Sequence, residues 1–282
     1  MKTGLVMEGG AMRGMFTAGV TDVLMENGIT FDGAMGVSAG AAFGCNYKSR
    51  QIGRAIRYNK RFCNDDRFAS LGSWLKTGDL FNAEFCYKDV PEIMDPFDTD
   101  AFAANPMKFY CVATDVESGQ SIIHPLKDGL REDVQWIRAS SSMPIASRIV
   151  ELGGRKLLDG GIANPIPLRS MEKLGYDRIV VIETQPRDYH KKKQKGLSAV
   201  KALLKDYPAV CHKLEIRHRI YNWQKKYIRE KEEKGEILVI RPASPLGIGH
   251  TTKHPEELER VYQIGRQAAE ERLGEIRAFL KQ

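Results

Sequence analysis

The stretch MGVSAGAA, residues 35–42, places one hydroxyl, that of Ser38, among residues with almost no side chain. An apolar segment precedes Ser38 and small residues follow it, so the pattern predicts a strand, a sharp turn and a helix. Residues 36–40 fit G-x-S-x-G, in which small neighbours leave the serine oxygen exposed on the turn. Small residues also suit close helix packing, so this motif alone does not separate a nucleophile from a packing contact.

The strand–turn–helix pattern also occurs upstream. Thr3–Met7 predicts a buried strand, EGGAMRG at residues 8–14 a glycine-rich turn, and Met12–Asn27 a helix. Arg178–Glu183 predicts another buried strand, which follows a helix over Ile166–Leu174. Repeated strand–helix units of this kind predict an α/β fold with a parallel sheet.

The remaining segments add hairpins and helices. Two hairpins are predicted, Lys108–Thr114 with Ser121–His124 and Ile149–Leu152 with Arg155–Leu158. Irregular, aromatic-rich sequence from about residue 50 to 105 predicts an insertion or cap, and Leu197–Glu233 and Pro255–Lys281 predict long helices. We therefore expect a core over residues 1–185 that includes the insertion, and a helical C-terminal region over residues 186–282 packed on it.

Composition limits the function classes. The 282 residues are 42% hydrophobic and 28% charged, which is ordinary for a globular protein and excludes disordered and collagen-like classes. Five cysteines without a C-x-x-C pair indicate free thiols in a reducing compartment and argue against a zinc site. The apolar run near the amino terminus is too short for a signal peptide or a membrane span, so we expect a cytoplasmic protein.

The net charge of +7 is concentrated in the last third of the chain. Residues 187–195 and 217–231 hold most of the excess, which is typical of a solvated loop and a solvated helix face. Tyr221, Trp223 and Tyr227 lie among these cations, and such a surface could instead meet anionic lipid head groups or nucleic acid. Charge alone does not choose between these interpretations.

The glycine-rich turn at residues 8–14 suits an anion. Its glycines let successive N–H groups point the same way at a helix amino terminus, where the helix dipole also favours negative charge. The alternative is a nucleotide-binding turn, because Gly9-x-Ala11-x-x-Gly14 approximates the dinucleotide fingerprint and Asp32 lies near the spacing of a ribose-binding acid. Asp32 precedes the second strand instead of ending it, which counts against that alternative.

A nucleophilic Ser38 would need a proton acceptor, and the sequence offers two. Asp159 follows a strand and precedes two glycines that let a carboxylate approach another loop, where a dry pocket would make it more basic. The second is a Ser–Asp–His arrangement that uses His124 at a strand end together with Asp115. A turn aspartate is also common before Gly-Gly, so Asp159 alone decides nothing.

EGGAMRG, GVSAG and DGG together resemble, in sequence order, the three defining motifs of the patatin-like phospholipase family. Those motifs are a glycine-rich oxyanion loop, a G-x-S-x-G serine and a later Asp-Gly-Gly aspartate. The resemblance covers residues 3–183, with further matches at Thr114-Asp115, Ala139-Ser140, Pro144 and Asn164-Pro165-Ile166-Pro167. Ala11 departs from the pattern, since many relatives have a third glycine there, and its N–H stays available if its φ is negative.

The resemblance implies a three-layer α/β/α sandwich with a mainly parallel central sheet and, here, a helical C-terminal extension. It implies a Ser38–Asp159 dyad that hydrolyses fatty-acyl esters of lipids through an acyl-enzyme, without a metal or a cofactor. The resemblance also implies three supporting segments. The oxyanion loop consists of Gly9, Gly10, Ala11, Met12, Arg13 and Gly14, with Gly10 and Ala11 as the donors. The nucleophile elbow contains Gly36 and Gly40, and the aspartate loop contains Gly160 and Gly161.

The implied partner is a lipid or another acyl ester, and we expect no nucleic acid. The basic segments after Arg187 could also hold the protein peripherally at an anionic membrane, at its inner face, as an alternative to a solvated surface. Two alternatives stay open at this point. One is a histidine-dependent esterase that uses His124, and the other is a noncatalytic nucleotide- or lipid-binding protein.

Overall fold

The structure, a computed structural model, describes residues Met1–Lys281 and contains one eight-stranded mixed sheet. The strands are β1 (Thr3–Met7), β2 (Gly33–Val37), β3 (Lys108–Asp115), β4 (Ser121–Leu126), β5 (Val150–Leu152), β6 (Arg155–Asp159), β7 (Arg178–Ile182) and β8 (Ile237–Ile240). Their order is β5-β6-β3-β2-β1-β7-β8, and β4 pairs with β3. The pairs among β3, β2, β1, β7 and β8 are parallel, whereas β4, β5 and β6 pair antiparallel.

Helices cover both faces of the sheet. They are α1 (Gly14–Glu26), α2 (Ala39–Lys48), α3 (Arg54–Phe62), α4 (Leu71–Thr77), α5 (Thr99–Ala104), α6 (Arg131–Ser140), α7 (Leu168–Lys173), α8 (Leu197–Leu203), α9 (Pro208–Glu233), α10 (Pro255–Glu270) and α11 (Leu273–Lys281). Alternate strand residues face opposite sides, so Leu5 packs with α1, α2 and α10 whereas Val6 packs with α7 and α9. The predicted three-layer α/β/α architecture is confirmed.

The insertion is more regular than its sequence suggested. Residues 50–105 contain α3, α4, α5 and a π-helix over Phe85–Met94. Ser70 and Asp98 begin α4 and α5, and their side chains accept hydrogen bonds from Ser73 N and Ala101 N. These helices are short, so their apolar periodicity is too brief to stand out in the sequence.

The predicted terminal helix is two helices, α10 and α11. The chain turns between them at Arg272, whose side chain donates a hydrogen bond to the carbonyl of Val239. The α10 helix crosses α1 so closely that a Cβ on Gly265 would lie 2.1 Å from the carbonyl oxygen of Phe16. Among the described residues, no helix combines the length and the apolar character needed to span a bilayer.

The α9 helix is less solvated than its charge predicts. Lys225 is only 3% exposed, and its Nζ donates a 2.8 Å hydrogen bond to Glu183 Oε2, which Arg241 also contacts at 2.8 Å. Tyr221 is buried on the same helix. One side of this helix therefore packs against the sheet, and the solvated face over residues 217–231 is the opposite side, where Arg219 and Lys226 are exposed. The predicted domain boundary at residue 185 stays a prediction.

Candidate active site

Ser38 lies on a sharp turn between β2 and α2, as the motif predicts. Its φ of +53° and ψ of −123° are strained for a residue with a side chain, and such strain is typical of functional sites. A Cβ on Gly40 would lie 2.4 Å from the carbonyl oxygen of Met7, so the flanking glycine lets the turn approach β1. The Ser38 N–H donates a 2.8 Å hydrogen bond to Ser140 Oγ, which fixes the turn.

Strand β3 brings Asp159 to Ser38. One edge of β3 pairs with β4, and on the other edge Val112 faces Val37 of β2 while the next residue, Ala113, faces Asp159 of β6. Strand β2 runs parallel to β3 and β6 runs antiparallel to it, so the C-terminal ends of β2 and β6 meet at this point of β3. Ser38 directly follows Val37, so its side chain lies beside the carboxyl of Asp159.

Asp159 is held in a buried, hydrogen-bonded position. It is 1% exposed, its Oδ1 accepts a 2.7 Å hydrogen bond from Gly161 N, and its own N–H donates to Ser142 O at 2.8 Å. Burial raises the pKa of this carboxyl, while the charge of Arg217, the neighbouring Ser38 side chain and the hydrogen bond from Gly161 N–H lower it in part. The net shift is upward, which makes the carboxylate a stronger base than an exposed aspartate.

The glycine-rich loop contacts the serine turn. A Cβ on Gly9 would lie 3.0 Å from Ser38 Cβ, so only glycine permits this approach. Within the described chain, the backbone N–H groups of Gly9, Gly10 and Ala11 donate to no protein acceptor. The loop therefore offers free donors beside Ser38, and Met12, Arg13 and Gly14 continue from it into α1.

Ala11 adopts a backbone conformation that favours glycine. Its φ is +48° instead of negative, yet among the described residues its N–H still donates to no protein acceptor. The left-handed region costs a residue with a Cβ about 1–2 kcal/mol. This cost gives a physical reason why a glycine would suit the position.

The C-terminal region supplies two site contacts that the sequence analysis did not predict. Glu8 is 1% exposed and its Oε1 accepts a 2.7 Å hydrogen bond from the hydroxyl of Tyr221. Arg217, one turn earlier on α9, donates from Nε to Gly161 O at 2.7 Å. The four-residue spacing of Arg217 and Tyr221 was the available signal, but neighbouring cations on α9 obscured it.

The structure does not assemble the histidine-dependent arrangement. The His124 ring stacks on Trp136 with 4.0 Å between centroids, and burial lowers the pKa of this imidazole. The Asp115 carboxyl accepts hydrogen bonds from Ser118 and Arg155 instead. Among the described residues, no hydrogen bond joins His124 to Ser38 or Asp115.

Asp32 does not fit the ribose-binding role of the nucleotide-binding alternative. Its carboxyl accepts hydrogen bonds from the backbone N–H and the hydroxyl of Thr3, at 2.7 and 2.9 Å. Both residues lie where β1 and β2 begin, whereas the glycine-rich loop follows the end of β1. The acid and the loop are therefore at opposite ends of the sheet.

The patatin-like phospholipase family profile matches residues 5–171, which is more than half of the chain and includes Ser38, Asp159 and the glycine-rich loop. The chain belongs to this family. A second profile, described as a domain of unknown function (DUF6363), matches residues 207–281. The helix that carries Arg217 and Tyr221 therefore lies in a region whose function no description gives.

Similar proteins extend this family assignment. The chain is 29% identical to the Escherichia coli K12 uncharacterized protein YjjU over 93% of its own length and 74% of that protein. It is also 29% identical to a lysophospholipase, NTE1, of Debaryomyces hansenii, over 64% of its length but only 12% of that protein. The crystal structure of VipD from Legionella pneumophila aligns with a TM-score of 0.49 at 12% identity, over 97% of this chain and 67% of that one. The chain thus spans most of YjjU but only a small part of the yeast lysophospholipase.

Proposed function

We propose that this protein hydrolyses fatty-acyl esters of lipids through a Ser38–Asp159 dyad and an acyl-enzyme intermediate. The observation that carries the proposal is the meeting of β2 and β6 on one edge of β3, which sets a buried carboxyl beside a strained serine. A carboxyl with a raised pKa can accept the serine proton without an imidazole.

In this mechanism the Ser38 Oγ attacks the ester carbonyl while its proton moves to Asp159. The oxyanion that forms accepts hydrogen bonds from the free N–H groups of Gly10 and Ala11, and each such donor is worth about 3 kcal/mol in comparable sites. Collapse of the intermediate expels the alcohol, which takes the proton from Asp159. Water then loses a proton to Asp159 and attacks the acyl-enzyme, and the fatty acid leaves as Ser38 regains its proton.

The test combines active-site labelling with hydrolysis. A fluorophosphonate probe should label the wild type but not Ser38→Ala, and Asp159→Asn should lower kcat for a soluble acyl ester by about 10²–10⁴-fold, because the base is lost. His124→Ala is the control and should retain hydrolysis. A loss in His124→Ala as large as that in Ser38→Ala would favour the histidine-dependent esterase. Labelling that persists without Ser38 would contradict the dyad, and a wild type that is neither labelled nor active would favour a binding protein.

We also propose that the protein works in the cytoplasm at an anionic membrane surface. An exposed apolar patch supports this: Leu71 and Leu75 on α4 are 66% and 72% exposed, and Ile145 is 42% exposed with a φ of +72°. Trp74 Nε1 joins the two segments through a 2.6 Å hydrogen bond to Ile145 O. A β-branched side chain that is held at positive φ and exposed to water is unfavourable, which favours a role in binding.

Basic side chains accompany the apolar patch, since Lys76 and Arg148 are exposed next to it in sequence. The Leu71→Ser/Leu75→Ser double variant should sediment less with vesicles that contain anionic lipid and should lose vesicle hydrolysis more than hydrolysis of a soluble ester. Leu203→Ser is the matched control, because Leu203 is 65% exposed on α8. Equal effects of the α4 and α8 changes would contradict this docking face.

A further inference from the structure

Cations from three separate segments converge beside the dyad. Arg13 lies on the glycine-rich loop, with its Nη2 3.2 Å from where a Cβ of Gly10 would be. Arg217 on α9 hydrogen-bonds Gly161 O at 2.7 Å, in the loop that holds Asp159. Two positive groups thus lie near the serine, Arg13 at the glycine-rich loop and Arg217 of α9 against the aspartate loop.

Lys191 joins this cluster from the segment between β7 and α8. Its backbone N–H donates to Asn222 Oδ1 at 2.8 Å, and its Nζ lies 5.1 Å from the centre of the Tyr221 ring. Burial, together with repulsion by Arg217 and Arg13, lowers the pKa of Lys191 to about 8. Partial desolvation, together with repulsion by Arg13, Arg217 and Lys191, lowers the pKa of His250 at the rim of the cluster.

These cations lack the partners that other buried cations of this protein have. Lys225 and Arg241 share the carboxylate of Glu183, whereas Arg13, Lys191 and Arg217 form no ion pair with any described residue. Arg13 Nε is buried without a hydrogen-bond acceptor. Gathering like charges in a partly desolvated place costs free energy, and a bound anion would repay that cost.

The two nearby carboxyls do not form ion pairs with these three cations. Glu8 accepts hydrogen bonds from Tyr221 and Thr184, and burial raises its pKa. Asp159 is occupied by Gly161 N–H, and its pKa is also raised. Both acids are therefore hydrogen-bonded to other groups and form no ion pair with the three cations among the described residues.

We propose that Lys191, Arg217 and Arg13, with His250 at the rim, form a subsite for the phosphate of a substrate headgroup that has net negative charge. This inference rests on the proposed hydrolase function and deepens it, because the C-terminal region then selects the substrate. Guanidinium and ammonium groups are the usual partners of phosphate oxygens.

The same geometry disfavours a zwitterionic headgroup such as phosphocholine. A quaternary ammonium group needs a free aromatic face or an available carboxylate. The Tyr221 ring already faces Lys191, and the Tyr221 hydroxyl is bonded to Glu8. A phosphate without an amine fits the cluster best.

The test compares three substrates with the same oleoyl chain in nonionic micelles: monooleoyl lysophosphatidate, monooleoyl lysophosphatidylcholine and monoolein. The wild type should show the highest kcat/KM for lysophosphatidate. Lys191→Gln should lower the lysophosphatidate-to-monoolein ratio of kcat/KM about tenfold, which is one charged hydrogen bond expressed as a rate. Lys191→Arg should restore the ratio, and Lys193→Gln, which removes an exposed charge from the same segment, should leave it unchanged.

The outcomes separate the subsite from the proposed function. Equal kcat/KM for lysophosphatidate and monoolein in the wild type would overturn the subsite while Ser38 labelling by fluorophosphonate still upheld the hydrolase. If inorganic phosphate inhibits monoolein cleavage by the wild type but not by Lys191→Gln, and no headgroup preference exists, the cluster binds free phosphate and the headgroup proposal is wrong. A preference that survives Lys191→Gln in a protein with a normal thermal transition would also overturn it.

Discussion

Replacing Arg217 with glutamine should move the acid limb of kcat/KM to higher pH. Arg217 and Asp159 do not form an ion pair, but their charged groups are at most about 6.4 Å apart, because a Cβ on Gly161 would lie 3.4 Å from Arg217 Nη2 and 3.0 Å from Asp159 Oδ1. At 5–6 Å and an effective dielectric constant of about 20, the attraction is about 3 kcal/mol. That equals about two pKa units, and the partial exposure of the guanidinium reduces it to about one.

The sign follows from the role of Asp159 as a base. Hydrolysis requires the carboxylate, so activity is present above the pKa of Asp159 and is lost as the pH falls through it. Burial already raises this pKa, and Arg217 partly opposes that rise. Removing the cation raises the pKa further, so Arg217→Gln should lose activity at a higher pH than the wild type, by about one pH unit.

The measurement is a profile of kcat/KM against pH with a soluble, uncharged short-chain ester, which avoids the proposed phosphate subsite. Arg219→Gln is the matched control, because Arg219 is exposed on the same helix and should leave the limb in place. An acid limb that stays fixed or moves to lower pH in Arg217→Gln would refute the reasoning, since Arg217 would then not act on the charge of Asp159.

Three stability predictions use urea unfolding. Gly265→Ala should lower the free energy of unfolding by about 3 kcal/mol, because its Cβ would overlap the Phe16 carbonyl on α1. Gly274→Ala, which has open space around it, should instead raise that free energy by up to about 1 kcal/mol. A change of the same sign in both variants would contradict the close crossing of α1 and α10. Ala11→Gly should raise stability by up to about 1 kcal/mol by relieving the positive φ, and a decrease would count against that strain. Lys225→Met should lower the free energy of unfolding by about 3 kcal/mol, because the buried Glu183 carboxylate loses one of its two partners. Lys226→Met, which alters an exposed lysine, should change that free energy little.

The fold and the two central residues, Ser38 and Asp159, could be predicted from the sequence because the patterns that indicate them are each confined to a short stretch. Parallel strands buried on both faces give apolar runs such as residues 179–182, and the turn at Ser38 admits only small neighbours. Asp159 could be identified only because its Asp-Gly-Gly motif follows the other two motifs in order, since an aspartate before two glycines is also common in turns. The roles of Ser38 and Asp159 stay predictions, although the structure brings the two side chains together.

The contacts from α9 could not be predicted in the same way. Cations occur on several sides of this helix, so periodicity does not tell which one faces the sheet. Lys225 is buried whereas Lys226 is exposed, and Arg217 contacts the Asp159 loop whereas Arg219 faces solvent. These orientations depend on pairing between distant segments, and short-range sequence patterns do not record that pairing.

The crossing of α1 by α10 has a consequence for how the chain folds as it is synthesised. The hydroxyl of Tyr262 on α10 bonds Asp22 on α1, and 240 positions separate these residues. At roughly 5–20 residues per second, a ribosome needs on the order of ten to fifty seconds to deliver the partner of the first helix. During that interval the apolar face of α1 lacks its packing partner and stays exposed, so the nascent polypeptide should depend on chaperones until its last helices emerge.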